Sequence, residues 1–108
     1  MESLKKNYQF GIVYKKGKSY ANKTLVMYIL KNKKDKNFIG ISVSKKVGKS
    51  VQRNRTRRLI KEAFRLKKDE IKKGLNIVIV ARVDSKDCNF SEISKSLVYL
   101  FKKHDLLL

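Results

Sequence analysis

Hydrophobic positions along this chain change their period several times, and each change marks an element. Residues 7–16 (NYQFGIVYKK) form a short segment closing on Gly17. That suits a helix ended by a glycine in the left-handed conformation, although Gly11 inside it costs about 1 kcal/mol in propensity. Thr24–Leu30 (TLVMYIL) and Phe38–Val43 (FIGISV) are rich in β-branched and aromatic residues, with the polar, turn-like run Lys31–Asn37 between them. The pattern predicts two strands paired antiparallel. Past residue 52, Leu59, Ile60, Ala63, Phe64 and Leu66 recur at helical spacing, which predicts a long helix. Asn76–Arg82 (NIVIVAR) is an unbroken apolar run of the kind buried on both faces, and it belongs at the heart of a sheet. Asn89 can cap a last helix with Glu92 three residues on, where Ile93, Leu97, Leu100 and Phe101 supply the apolar stripe.

The order α-β-β-α-β-α predicts an α+β or mixed α/β layer in which helices cover a small central sheet, since each element has one apolar face to bury. A chain of 108 residues has room for one domain, spanning 1–108, with loose ends near 1–5 and 104–108. It has no proline, and its 42% apolar content argues against wholesale disorder.

Charge changes the picture. Lys and Arg total 28 against 9 Asp and Glu, a formal net charge of +19. A compact domain carrying that much like charge repels itself unless a polyanion neutralises it, which points to nucleic acid, with an anionic membrane as the main rival. No stretch approaches the ~18 apolar residues of a membrane-spanning helix, and the first residues lack the apolar core of a signal peptide, so a cytoplasmic location is expected.

The charge is concentrated in Arg53–Arg65 (RNRTRRLIKEAFR). Advancing about 100° per residue places Leu59, Ile60, Ala63, Phe64 and Leu66 in one sector roughly 160° wide. Asn54, Arg55, Arg57, Arg58, Lys61 and Arg65 fill the other. One face packs and the other is cationic. An ordinary solvated helix face mixes signs, but here Glu62 is the only acid beside the six Arg and Lys residues of the segment. Arg53, Arg57, Lys61 and Arg65 repel one another at i,i+4 spacing, so something outside the fold should compensate. Arginine's planar fork suits phosphate, and neutralising about six phosphates would cost on the order of 10³-fold in affinity between about 50 and 200 mM salt. A membrane-surface helix would need its apolar face free, and this one is committed to the strands.

Phe10 and Tyr14 lie four apart on the first helix, and Tyr28 sits mid-strand. Such residues are more often core than not, but in an exposed groove they could stack on unpaired bases. Val43–Val51 (VSKKVGKSV) gathers Lys45, Lys46 and Lys49 around Gly48. It lacks the spacing of a nucleotide-binding loop, so nucleotide hydrolysis is rejected, and Ser42, Ser44 and the lysines read as phosphate donors beside the arginine helix. His104 is the only histidine, Cys88 the only cysteine, and no carboxylate pair lies on an apolar element. Neither a metal site nor an acid–base site is expected on the chain, and Cys88 reads as a bystander thiol.

The run Gly40–Arg65 (GISVSKKVGKSVQRNRTRRLIKEAFR), with its Arg53-Asn54-Arg55 core, resembles the signature of the bacterial ribonuclease P protein subunit. The similarity extends through Phe10–Tyr14, Gly17–Asn22 and the late strand with Ala81-Arg82. The resemblance implies a protein that assists a large catalytic RNA in removing the 5′ leader of precursor tRNA, with one protein per RNA subunit, Mg²⁺ held mainly by that RNA, and no active site on the protein. It implies contact with the RNA through Lys45, Lys46, Lys49, Arg53, Asn54, Arg55, Arg57, Arg58, Lys61 and Arg65. It implies a leader-binding cleft of Phe10, Tyr14 and Tyr28, rimmed by Lys18, Ser19, Asn22 and Lys23. The family also implies a left-handed strand–helix–strand crossover, against the usual right-handed preference. A ribosomal or other structural RNA-binding protein is the alternative, and a free-standing nuclease is disfavoured by the missing catalytic groups.

Overall fold

The computed structural model describes residues 2–108. The strands are β1 (Glu2–Ser3), β2 (Lys18–Ala21), β3 (Leu25–Lys31), β4 (Phe38–Val43) and β5 (Leu75–Ala81). The helices are α1 (Asn7–Lys16), α2 (Ser50–Lys67) and α3 (Phe90–Lys103). The strands form one mixed sheet in the order β1-β4-β5-β3-β2, giving an α+β architecture.

The apolar run predicted for the sheet's heart is there: β5 is the central strand, and Ile77, Val78 and Ile79 are fully buried. It pairs parallel with β4 and antiparallel with β3. The expected hairpin between Thr24–Leu30 and Phe38–Val43 is therefore corrected. β3 and β4 run in opposite directions but do not touch as partners, because β5 lies between them. Only an interior position buries both faces of so apolar a strand, and that burial outweighs the convenience of pairing neighbours in sequence.

Alternation across the sheet sorts its two faces. Leu25, Met27, Ile77, Ile79, Ala81 and Val43 face α2 and α3, where Phe64 and Phe101 meet edge to face at 5.7 Å. Val78 and Tyr28 face α1, packing with Leu4 and Val13. Asn89 caps α3 as expected: its side chain accepts from the Glu92 N–H at 2.9 Å, and the Glu92 carboxylate accepts from Asn89 N–H at 3.0 Å. Leu66, expected on the packed stripe of α2, is instead 55% exposed, and Thr56 is buried in that helix.

Two further expectations change. Gly17 closes α1 not in the left-handed region but in an extended one, φ −78° and ψ 158°. The residue must be small for another reason: a Cβ there would lie 2.5 Å from the Val13 carbonyl oxygen and 3.0 Å from that of Ile29. The chain ends are also tied down. Glu2–Ser3 pairs with Phe38–Ile39 and Leu4 is buried, while Leu106 is buried and Leu107 bridges to Ile71. These ends hold apolar residues that seal the open edge of each cluster. No helix among the described residues is long and apolar enough to cross a membrane.

His104 ties the end of α3 to β3, its Nε2–H donating to the Met27 carbonyl at 2.8 Å, and its ring meets Tyr20 edge-on at 4.8 Å. Burial pushes its pKa below the usual imidazole value. The unfolded chain then binds the proton more readily than the folded one, so this contribution to stability is complete above the unfolded pKa, about 6.5, and shrinks as pH falls below it. Denaturant midpoints measured from pH 7.5 to 5 should decline, and His104→Asn should flatten that part of the curve.

Candidate nucleic-acid interface

The cationic helix begins where β4 ends. Between them a single tight turn, Lys45–Val47, buries Val47 and leaves Lys45 and Lys46 exposed. Lys49 precedes the first turn of α2, and the Gln52 side chain accepts from its N–H at 2.8 Å. A lysine side chain has no acceptor to offer the first-turn amides, and that turn contains no acid. Three exposed lysines thus lie next to the positive end of the helix dipole, an arrangement suited to a phosphate.

Along α2 the predicted cations do not behave alike. Arg58 and Lys61 are exposed and make no hydrogen bond or ion pair with described residues. Arg57 donates to the Asn54 side-chain oxygen at 3.3 Å. Arg65 is held by both oxygens of Glu62, at 2.6 and 3.0 Å, which keeps that carboxylate below its usual pKa. Arg53 is only partly exposed: it donates to Ser50 Oγ at 3.1 Å, and its Nε is buried without an acceptor. Arg55 is exposed, but its guanidinium is engaged by the fold. Its guanidinium donates to the Cys88 carbonyl at 3.2 Å and reaches that of Lys86 at 3.5 Å, clamping α2 to the loop before α3. Nothing in the helical wheel distinguishes this arginine from its neighbours, since the acceptors lie more than thirty residues away in sequence.

On the other face of the sheet the three aromatic side chains predicted to form a cleft come together. Tyr14 meets Tyr28 edge to face at 4.9 Å, and the Phe10 centroid lies 6.4 Å from that of Tyr14. The outer end of the Phe10 ring packs against Gly40, where a Cβ would come within 2.5 Å of it. Tyr14 is 40% exposed, so the trio is not sealed in the core. Asn7, Phe10, Gly11 and Tyr14 form one wall of a groove of about 490 Å³, and Ile41, Ser42, Val43 and Arg57 form the other. The sequence assigns Arg57 to the arginine helix alone, but its position in the first half of α2, beside Ile41–Val43 of β4, brings it to the aromatic groove.

The expected rim is only partly assembled. Ser19 pairs directly with Tyr28 across β2 and β3 and shares its face. Lys23 is exposed at the β2–β3 turn. Lys18 lies on the opposite face, its ammonium 5.2 Å from the Tyr20 ring centroid. Asn22 is spent on the fold: its side-chain oxygen accepts from the Thr24 and Leu25 N–H groups, and its amide donates to the Ser96 carbonyl. β2 was not recognised as a strand, so its alternation could not be used to sort these side chains.

A family model described as Ribonuclease P matches residues 1–105. The chain belongs to the bacterial ribonuclease P protein family. It is 60% identical over 106 residues to the ribonuclease P protein component of Clostridioides difficile, covering 97% of this chain and 93% of that one. The corresponding protein of Lachnoclostridium phytofermentans is 58% identical, with coverage of 98% and 91%. Among solved structures, the Staphylococcus aureus RNase P protein superposes with a TM-score of 0.91 at 38% identity, covering 100% of this chain and 99% of that one. The RNase P protein of Thermotoga maritima gives 0.86 at 33% identity, with coverage of 95% and 97%. Membership in the ribonuclease P family makes this chain a subunit of that enzyme, and the fold agrees along its whole length.

Proposed function

We propose that this protein is the RNA-binding, non-cutting subunit of ribonuclease P, which removes the 5′ leader of precursor tRNA. The observation that carries the reading is the meeting of two unlike surfaces at the end of β4: the cationic start of α2 and the groove lined by Phe10, Tyr14 and Arg57. The first offers charge without aromatic rings, which suits the phosphates of a folded catalytic RNA. The second offers ring faces beside a guanidinium, which suits unpaired bases of a single-stranded leader. Holding both ligands on one rigid scaffold makes binding of the leader intramolecular once the RNA subunit is in place, and substrate affinity rises through effective concentration.

In this reading the RNA supplies the active site and holds Mg²⁺. Among the described residues no three His, Cys, Asp or Glu side chains come together as a metal site. His104 is engaged with the Met27 carbonyl, and it does not line the aromatic groove. The protein's part in metal binding is indirect: by neutralising phosphates it lessens the Mg²⁺ the RNA needs to fold and react. One protein serves each RNA subunit, in the cytoplasm where precursor tRNA is made.

Reconstitution tests this directly. Adding the protein to the RNA subunit should raise cleavage of precursor tRNA severalfold at low Mg²⁺ and little at high Mg²⁺. Cleavage no better than that of the RNA alone at any Mg²⁺ concentration would refute the proposal. A structural RNA-binding protein of another particle would show that negative result while co-purifying with ribosomal RNA.

A further inference from the structure

Of the five glycines in the chain, four answer to the fold and one does not. Gly17 and Gly40 sit where a Cβ would come within 2.5 Å of a carbonyl oxygen or of the Phe10 ring, and Gly48 and Gly74 hold φ angles of 151° and 85°. Gly11 has neither reason. It lies in the middle of α1, its φ is not positive, and a Cβ built on it would meet nothing within 4 Å. Inside a helix glycine is the least favourable residue but proline, and replacing it where the backbone already suits other residues stabilises a protein. The fold would therefore gain from almost any side chain at this position.

What the missing side chain leaves open is the aromatic groove. Asn7, Gly11 and Tyr14 fall on one face of α1 and line the same wall, across from β4 and Arg57. A helical side chain leans toward the preceding turn, so any residue at position 11 would fill the gap between Tyr14 and Asn7. On one side of that gap Tyr14 is 40% exposed, its ring braced edge to face by Tyr28 at 4.9 Å and not covered. On the other side the Asn7 amide is exposed and bonds to no described residue. Gly11 is thus a notch between a ring that can stack and an amide that can hydrogen-bond, the two kinds of contact by which an unpaired base is held.

We propose that Gly11 is a specificity-determining residue: its bare backbone admits one base of the single-stranded leader to the wall of α1, where the base lies beside Tyr14 with its edge toward Asn7. The proposal rests on the leader-binding reading of the groove and adds the residue that sets how near a base can come. It also explains why a helix keeps a residue that weakens it. A side chain at position 11 would strengthen α1 and close the notch in the same step, so stability and leader affinity are opposed at this one position.

Gly11→Ala and Gly11→Leu in the full chain, reconstituted with the ribonuclease P RNA, test this opposition. Both variants should melt above the unaltered protein, by about 2–6 °C for alanine. Affinity for precursor tRNA with a single-stranded leader should fall on the order of 10- to 100-fold for Gly11→Leu, the range for losing one stacked base, and less for Gly11→Ala. Affinity for leaderless tRNA and for the RNA subunit should not move. A second arm uses leaders made abasic at one nucleotide at a time. With the unaltered protein one such position should weaken binding most, and with Gly11→Leu the same position should cost nothing further, because its base no longer reaches the notch. Unchanged leader affinity in Gly11→Leu would overturn the proposal. So would an equal loss on leaderless tRNA, an abasic effect that persists in the variant, or variants that melt below the unaltered protein, which would mean that the fold needs the glycine. If the unaltered protein gains no affinity from a leader, the leader-binding reading falls and this one with it; leader dependence that survives intact in Gly11→Leu sinks this one alone.

Discussion

Replacing Arg53, Arg58 and Lys61 with alanine should weaken binding to the ribonuclease P RNA on the order of 100-fold at about 0.15 M salt, and should flatten its salt dependence by two to three logarithmic units, roughly 0.9 for each phosphate released. Arg58 and Lys61 make no contact that the fold would miss, and Arg53 loses one bond to Ser50. Deleting them also relieves like-charge repulsion along the helix, so thermal stability should hold. Filter binding across a salt series measures both numbers, and an unchanged slope would show that α2 does not meet phosphate. Arg55→Ala makes the contrast. That arginine clamps the Cys88 and Lys86 carbonyls, so its loss should lower the melting temperature by several degrees, about 1–3 kcal/mol, while leaving the salt slope nearly intact at low temperature. Three neighbouring arginines that look alike in sequence are thus expected to separate into binding and structural groups.

That separation shows where sequence reading loses its grip. Local physics was sufficient for the three helices, because apolar spacing and the Asn89–Glu92 box depend on residues within a turn or two. It was sufficient for β5, whose unbroken apolar run has only one comfortable place in a sheet. Strand partners were not legible. β3 and β4 follow one another closely, and nothing in either says that a strand thirty residues downstream will come between them. The edge strands were missed because an edge needs little apolar content: β2 reads Lys-Ser-Tyr-Ala and β1 only Glu-Ser. Without β2 nothing in the sequence could sort the rim that the resemblance implies, since only a strand's alternation separates Ser19, on the face of Tyr28, from Lys18, beside Tyr20.

The aromatic groove fared better for a related reason. Phe10 and Tyr14 are one helical turn apart, so they had to share a face, and the family resemblance supplied Tyr28 as their partner. What remained hidden was the role of Gly40. Its missing side chain lets the Phe10 ring lie on β4, which sets the depth of the groove from below. Arg57 was hidden as well, because the wheel of α2 records which way a residue points but not that α1 lies across the groove from it.

Tyr14→Ala should therefore weaken binding of precursor tRNA carrying a leader by 1–3 kcal/mol, about 5- to 150-fold, while barely changing affinity for mature or leaderless tRNA. Tyr14 is the best probe of the three rings because it is the most exposed, whereas Phe10 also packs on Gly40 and its loss would mix binding with folding. Tyr14→Phe keeps the ring and its edge-to-face contact with Tyr28, so it should bind as the unaltered protein does. Arg57→Ala should reduce leader affinity as well, and with a shallower salt slope, because it removes charge from the same groove. Dissociation constants of the reconstituted complex, measured as the leader is shortened one nucleotide at a time, give the decisive form of the result. The unaltered protein should lose affinity in steps as bases leave the groove, and Tyr14→Ala should lose the step that its ring supports. Parallel curves displaced by a constant factor would mean that Tyr14 acts through assembly with the RNA subunit, and that the groove is not where the leader lies.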